Sequence, residues 1–213
     1  MVYDAKNELT HGLGYGVVFL DKTGTEAGVP IAGLRAIDTE NEQENTNFYA
    51  GFNAPYRTIA GAKTTNITVK SYDLPNKFAT HALGFATVKN GTEEFMTDDV
   101  ASYKPYGFAY AERYRDDDGT GYKVTFYPQV QATTPSDSAE ADEESPTGKE
   151  YEHTATIVTG DFTLNKKKRL LVKFAITDDE LDTGTSKKAL AFTKLFSELK
   201  PLTAEDVEGT PSP

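Results

Sequence analysis

Stretches of alternating apolar and polar residues recur along the chain, and clusters of turn-forming residues separate them. Alternation with a period of two places every second side chain on the same face of a strand, so the pattern predicts β structure. The predicted strands are residues 15–20, 31–38, 64–74, 106–114, 122–130, 152–164 and 170–177. Together with two helices, they predict a mainly β (α+β) fold class.

Two turn segments predict hairpins. The Asp- and Gly-rich segment 116–121 lies between two strands rich in Tyr and Phe, which is the clearest hairpin signal in the chain. The basic run 166–169 lies between the last two predicted strands. We interpret this run as the solvated turn of a second hairpin and not as a nucleic-acid patch.

Two segments predict helices. A short helix is expected at about 75–84, with Pro75 at the first helical position and Gly84 as a left-handed cap. A longer helix is expected at about 186–199, because apolar residues recur there at spacings of three and four before Pro201. Such a stripe is typical of a core or subunit contact. Its residues are Ala189, Phe192, Leu195, Phe196 and Leu199.

Three polar stretches interrupt this pattern. Residues 38–47 read DTENEQENTN and are expected to form a long exposed loop. Residues 134–148 are rich in Ser, Asp, Glu and Pro, so a mobile acidic loop is expected. A disordered tail is expected over 203–213, and residues 1–202 are expected to form a single domain.

The negative net charge of the chain disfavours nucleic acid as a tightly bound partner. The 213 residues carry a formal net charge of -11 and contain no cysteine. Tight binding to a phosphate backbone depends on clustered Lys and Arg, so an acidic chain is not expected to bind DNA specifically. No signal peptide or membrane-spanning segment is expected, which indicates assembly in a reducing cytoplasm.

The sequence contains no recognisable catalytic motif. The histidines, His11, His81 and His153, are each isolated from a nucleophile in the sequence, and His81 is interpreted as a packed or surface residue. The glycines at 12, 14 and 16 precede a strand and do not join a strand to a helix, unlike a dinucleotide-binding turn. The acidic run 116–118 lacks the ligand spacing of a calcium loop. We therefore expect no enzyme activity, no cofactor and no metal.

The segment 45–58, NTNFYAGFNAPYRT, resembles the major tail protein (tail tube) family of long, flexible-tailed bacteriophages of Gram-positive bacteria. In that family a Phe-Tyr-Ala is followed by Pro-Tyr, a strand, a Leu-Pro-x-x-Phe helix ending in Leu-Gly, and a Lys-Pro-aromatic strand. The same order occurs here in the helix that begins LPNKF at 74–78 and in KPYGFAY at 104–110. The resemblance spans about residues 10–200.

The resemblance implies a structural virion protein and not an enzyme. Its expected fold is a β-sandwich or partly closed β-barrel with one flanking helix. Copies are expected to form stacked, hexameric rings that make the conduit for DNA ejection. The implied partners are the protein itself and the tape measure, tail terminator and distal tail proteins, while genomic DNA passes without specific binding. The implied location is the phage tail, assembled in the host cytoplasm.

Two hypotheses concern this assembly. An exposed arm over 38–56 reaches the adjacent ring through its aromatic anchors, or those aromatics fold back onto their own sheet. The anchors are Phe48, Tyr49, Phe52 and Tyr56. Acidic residues line the lumen so that DNA moves freely, while the loop 134–148 lies outside. The alternative function is a β-sandwich binding module, either a virion receptor-binding or decoration protein or a carbohydrate-binding protein.

Overall fold

The computed structural model describes residues 9–49, 55–98, 103–117, 119–132 and 150–208. Within these residues the chain forms twelve strands and four helices. The strands are β1 (Leu9–Phe19), β2 (Val29–Pro30), β3 (Leu34–Tyr49), β4 (Pro55–Ser71), β5 (Phe85–Asn90), β6 (Glu93–Asp98), β7 (Tyr106–Asp116), β8 (Gly119–Ala132), β9 (Tyr151–Ile157), β10 (Thr163–Leu164), β11 (Lys167–Lys168) and β12 (Val172–Thr177). The helices are α1 (Asn76–Ala82), α2 (Asp178–Thr183), α3 (Lys187–Phe196) and α4 (Ala204–Val207). The mainly β fold class is confirmed.

One large antiparallel sheet organises the molecule. Its strands follow the order β2-β1-β7-β8-β9-β4-β3. One edge of β8 is shared, because β12 pairs with residues 121–126 and β9 pairs with residues 130–132. The sheet curls until its two ends approach, since a Cβ on Gly16 of β1 would lie 2.8 Å from Leu34 Cδ2 of β3. No strand pairing closes the sheet into a barrel within the described residues.

The two faces of the sheet bury different cores. In β7, Phe108 and Tyr110 point into a first core, which α1 completes on the concave side, while Ala109 and Ala111 point into a second core under α3. This separation follows from the alternation of side chains along a strand. Each fully buried large apolar side chain stabilises the fold by roughly 1.5–3 kcal/mol.

Both predicted helices are present with adjusted ends. Pro75 is the N-cap of α1, one position before the first helical residue, and Gly84 has the expected positive φ of 76°. Helix α3 begins after Ser186, whose Oγ accepts a hydrogen bond from the Ala189 backbone N–H at 3.1 Å. Its predicted stripe packs on the second core, with Ala189, Phe192 and Leu195 buried.

The loop predicted over 38–47 is wrong, because these residues belong to β3. They pair continuously with β4, from Asp38 opposite Thr68 to Gln43 opposite Lys63. Strand formation needs no apolar alternation here, since main-chain pairing is reinforced by Thr65 Oγ1, which donates to Asn41 Oδ1 at 2.8 Å. The described side chains of this segment are exposed, as predicted.

The second predicted hairpin is also different in the structure. Strand β9 pairs with β4 and β8, and β12 pairs with β8, so these two strands do not pair with each other. Only the short strands β10 and β11 pair across Asn165 and Lys166, which have φ values of 51° and 62°. The basic run remains exposed, as expected for a solvated turn.

The tail predicted from Thr203 is partly ordered. Residues 203–208 contain α4, and Lys194 Nζ of α3 lies 2.5 Å from Asp206 Oδ2. This ion pair, together with the buried Leu202, fixes the segment against the second core. Residues 209–213 and the loop predicted over 134–148 lie outside the described residues.

Candidate assembly surfaces

A long two-stranded hairpin extends past the rest of the sheet. Strands β3 and β4 pair from Leu34 opposite Ser71 to Tyr49 opposite Pro55. The pairing of β4 with β9 ends at Asn66. Beyond that point β3 is the only described strand that pairs with β4. We call residues 41–49 and 55–65 the distal hairpin.

The distal hairpin presents apolar side chains to solvent. Phe48 is 50% exposed and Ile59 is 46% exposed. Phe48 lies opposite Arg57, and Ile59 lies opposite Thr46, so Phe48 and Ile59 share one face of the hairpin. About half of the Phe48 side chain therefore remains accessible to a partner.

The other three predicted anchors differ in how far the structure describes them. Tyr49 is the last residue of β3 and Tyr56 the second residue of β4, so both lie at the far end of the distal hairpin. Phe52 lies outside the described residues. The assignment of all four aromatics as subunit contacts stays a prediction.

The sheet also has two open edges. Among the described residues β3 pairs on one side only, with β4. At the opposite end of the sheet, β2 covers only Val17 and Val18 of β1, and the Ile31 N–H donates to the Gly16 carbonyl at 2.9 Å. Unpaired edges of this length are templates for pairing with another chain.

A second hairpin was missed by the sequence analysis. Strands β5 and β6 form a separate two-stranded sheet, in which Val88 lies opposite Phe95. These two side chains are 53% and 52% exposed. The signal was present in Gly91-Thr92, the two turn residues between Asn90 and its partner Glu93, because a glycine at the first turn position supplies the positive φ needed there, here 65°.

A polar anchor fixes α2 to the outer side of the sheet. Arg113 of β7 donates to both carboxylate oxygens of Asp178, with N–O distances of 2.7 and 2.6 Å. The Thr120 hydroxyl also donates to Asp178, and the Arg113 guanidinium lies 4.6 Å from the centre of the Tyr122 ring. The hydrogen bonds from Arg113 and Thr120 lower the pKa of Asp178. This anchor is structural.

Two of the histidines are at least partly buried. His153 is 4% exposed in the first core, and burial lowers its pKa to about 4. His81 on α1 is partly buried, and its pKa is lowered by burial and then by the charge of Lys104. The described part of the chain contains no group of three or more acidic, His or Cys residues that could hold a metal. None of the described helices has the length and apolar character to cross a membrane.

Comparisons with known proteins agree with an assembly role. No curated protein matches the chain significantly. A family described as phage tail tube protein matches residues 3–202, which is nearly the whole chain. This family consists of structural virion components that self-assemble with other tail components, which favours a non-enzymatic tail protein over the alternative binding module. The chain therefore belongs to the phage tail tube protein family.

Proposed function

We propose that copies of this chain join into hexameric rings, and that the rings stack into the tube through which genomic DNA is ejected. The observation that carries the proposal is the long open outer edge of β3, which spans Leu34–Tyr49. The hexameric number comes from the family resemblance. The partners at the tube ends would be the tail terminator and distal tail proteins, with the tape measure protein inside and assembly in the host cytoplasm.

Edge pairing explains how a ring closes. The two open edges, on β3 and on β1, belong to opposite ends of the strand order. A contact between two different surfaces is heterologous, and repeated copies of it close into a ring when the rotation between neighbours fits. Pairing would also satisfy main-chain groups that otherwise favour uncontrolled aggregation.

The distal hairpin is the proposed contact between rings. Its exposed Phe48 and Ile59 lie on one face, and burial of such residues against a second copy would remove apolar surface from water. Tyr49, Phe52 and Tyr56 are proposed to complete this contact. The supporting observation is the projection of the hairpin beyond the last pair between β4 and β9.

Shortening the hairpin tests the stacking role. Gln43 and Lys63 face each other, so residues 44–62 can be replaced by Asn-Gly, which forms a two-residue hairpin turn. We expect the shortened protein to form rings, because residues 34–43 of the β3 edge remain, but no tubes in negative-stain electron microscopy. The matched point variants are Phe48→Ser and Phe95→Ser, since both rings are about half exposed but lie on different hairpins.

The outcomes separate the two roles. Loss of tubes in the shortened protein and in Phe48→Ser, with normal tubes in Phe95→Ser, supports the stacking contact. Tubes of normal length and stability from the shortened protein would remove the hairpin from the stacking interface. Unsubstituted protein that stays monomeric at high concentration, with and without other tail proteins, would overturn the ring itself.

A further inference from the structure

The sheet face of β3, β4 and β9 that points away from the first core is polar. A row of side chains crosses the strands: Glu40 lies opposite Asn66, Asn66 opposite Thr156, and Thr156 opposite Gln131. Directly opposed residues of antiparallel strands point to the same face. Thr156 Oγ1 donates to Asn66 Oδ1 at 2.8 Å, which links β9 to β4 in this row.

Two further rows repeat the arrangement. Asp38 lies opposite Thr68, which lies opposite Thr154, and the two hydroxyl oxygens are 3.3 Å apart. In the third row Lys70 lies opposite Glu152, and their charged groups are 3.0 Å apart. We call these nine residues the polar face. Each row across β4 and β9 is closed by a hydrogen bond or an ion pair.

The intervening residues show why this face stays outside the core. Ile67 and Val69 of β4 are fully buried, and Ala155 of β9 is also buried, all on the opposite side of the same strands. The polar face itself is exposed at Asp38 and Glu40 and half-buried at its centre. It carries no large apolar side chain that a packed protein interface would bury.

The charges on this face disfavour binding of a polyanion. Three carboxylates, Asp38, Glu40 and Glu152, oppose one ammonium, Lys70, so the formal net charge is −3 + 1 = −2. The Lys70 ammonium is paired with the Glu152 carboxylate. The hydrogen bond to Glu152, followed by the charge of Glu152, raises the pKa of Lys70. Affinity for DNA comes from cations that neutralise phosphates, and none on this face is available without breaking that pair.

We infer that the polar face lines the channel of the tube and faces double-stranded DNA in transit across a layer of water. This inference rests on the proposed ring, in which each joined sheet turns one side toward the axis. The apolar side of β4 and β9 is filled by the first core, so the polar face is the side left for the channel. Paired hydroxyls and amides, with a net negative charge, make that wall non-adhesive to phosphates.

Single cysteines can map the face, because the natural chain contains none. The test variants are Thr68→Cys, at the centre of the polar face, and Glu40→Cys, at its exposed side. The control is Lys188→Cys on the exposed side of α3, against the other core. Each variant is assembled into tubes, checked by electron microscopy, and treated with N-ethylmaleimide or with a maleimide on a long polyethylene glycol chain.

We expect the control to react with both reagents in tubes. Thr68→Cys and Glu40→Cys should react with N-ethylmaleimide but lose their reaction with the polymer reagent, and should regain it when tubes are dissociated. Reaction of both with the polymer in intact tubes would place the face outside. Protection of both from the small reagent would mean that another copy of the chain covers it.

Either of those results overturns the channel assignment while leaving the tube intact. Absence of tubes from the unsubstituted protein would instead overturn the proposed function, and this inference with it. Glu40→Cys keeps the test valid if Thr68→Cys fails to fold, because Glu40 is exposed and its replacement removes no core contact.

Discussion

The His153 ring of β9 lies edge-on against the Phe78 ring of α1, with ring centroids 5.1 Å apart and planes at 63°. Both side chains are buried in the first core. Burial disfavours the charged imidazolium, so the pKa of His153 falls from its ordinary value of 6.5 to about 4. The contact therefore links the packing of α1 on the sheet to the protonation of one histidine.

We expect the unassembled subunit to lose stability as the pH falls from about 6.5 to about 4. In that window the unfolded chain binds a proton at His153 and the folded chain does not, so the free energy of unfolding rises with pH. The shift corresponds to about 3 kcal/mol. Urea unfolding across this pH range, under dilute conditions, measures the slope.

His153→Leu is the variant that isolates this effect. Leucine has a similar volume and cannot be protonated, so most of the slope should disappear. A smaller slope in the same direction should remain from His81, whose pKa burial also lowers. An unchanged slope in His153→Leu would show that His153 is protonated in the folded subunit or is not the responsible group.

Tyr106→Phe tests a neighbouring buried polar group. Among the described residues, the Tyr106 hydroxyl has no hydrogen-bond partner, although the side chain is only 1% exposed. Its ring packs against Phe78 with centroids 5.0 Å apart, and a phenylalanine keeps that contact. Removing an unsatisfied hydroxyl is expected to leave stability unchanged or raise it by about 1 kcal/mol. A loss of more than about 1 kcal/mol on urea unfolding would show that the hydroxyl has a partner.

Gly121→Ala is expected to destabilise the subunit by about 3 kcal/mol or more, because β12 passes directly against Gly121. A Cβ at this position would lie 2.1 Å from the Ile176 carbonyl oxygen and 2.9 Å from Thr177 Cα. Both are main-chain atoms, so the clash cannot be relieved by a side-chain rotation.

Gly14→Ala is the matched control on β1. The nearest atom to its added Cβ is Tyr122 Cε1 at 3.4 Å, which is an ordinary contact. Thermal unfolding of the two variants should separate them clearly. Equal stability of Gly121→Ala and Gly14→Ala would contradict the close approach of β12 to β8.

The sequence predicts those parts of the fold where local pattern and structure agree. The hairpin of β7 and β8 follows from its aromatic strands around an Asp- and Gly-rich turn, and α3 follows from its apolar stripe. Gly121 was assigned to that turn, yet its structural role is to admit β12. That role depends on β12, whose Thr177 pairs with Gly121 from 56 residues further along the chain, and no local pattern records that contact.

The distal hairpin shows why other parts are missed. Residues 38–47 are polar on both faces, so they lack the alternation that identifies a half-buried strand. They form a strand because β3 pairs with β4 along this segment, with one register shift between Gln43 and Asn45. Asn and Thr side chains also bridge the two strands, as Thr58 does to Asn47 at 2.8 Å. The polar face is missed for another reason: residues that meet on it, such as Thr68 and Thr154, are 86 residues apart in the sequence.

Reversing the charge of the polar face tests its effect on DNA. The double variant Asp38→Lys and Glu40→Lys changes the formal charge of the face from −2 to −2 + 4 = +2 per subunit. Both side chains are exposed, so folding and tube assembly should persist. Lysines that face DNA release condensed counterions from its phosphates and so attract the DNA. This attraction weakens as the salt concentration increases. We expect reconstituted particles with the double variant to eject DNA more slowly at low salt and to recover a normal rate of ejection at high salt.

The control is Asp182→Lys with Glu205→Lys, which makes the same change of charge on α2 and α4, beside the second core. Slowing in the control as large as in the test variant would indicate a general effect of net charge. Unchanged ejection at low salt in the double variant would show that the polar face does not meet the DNA.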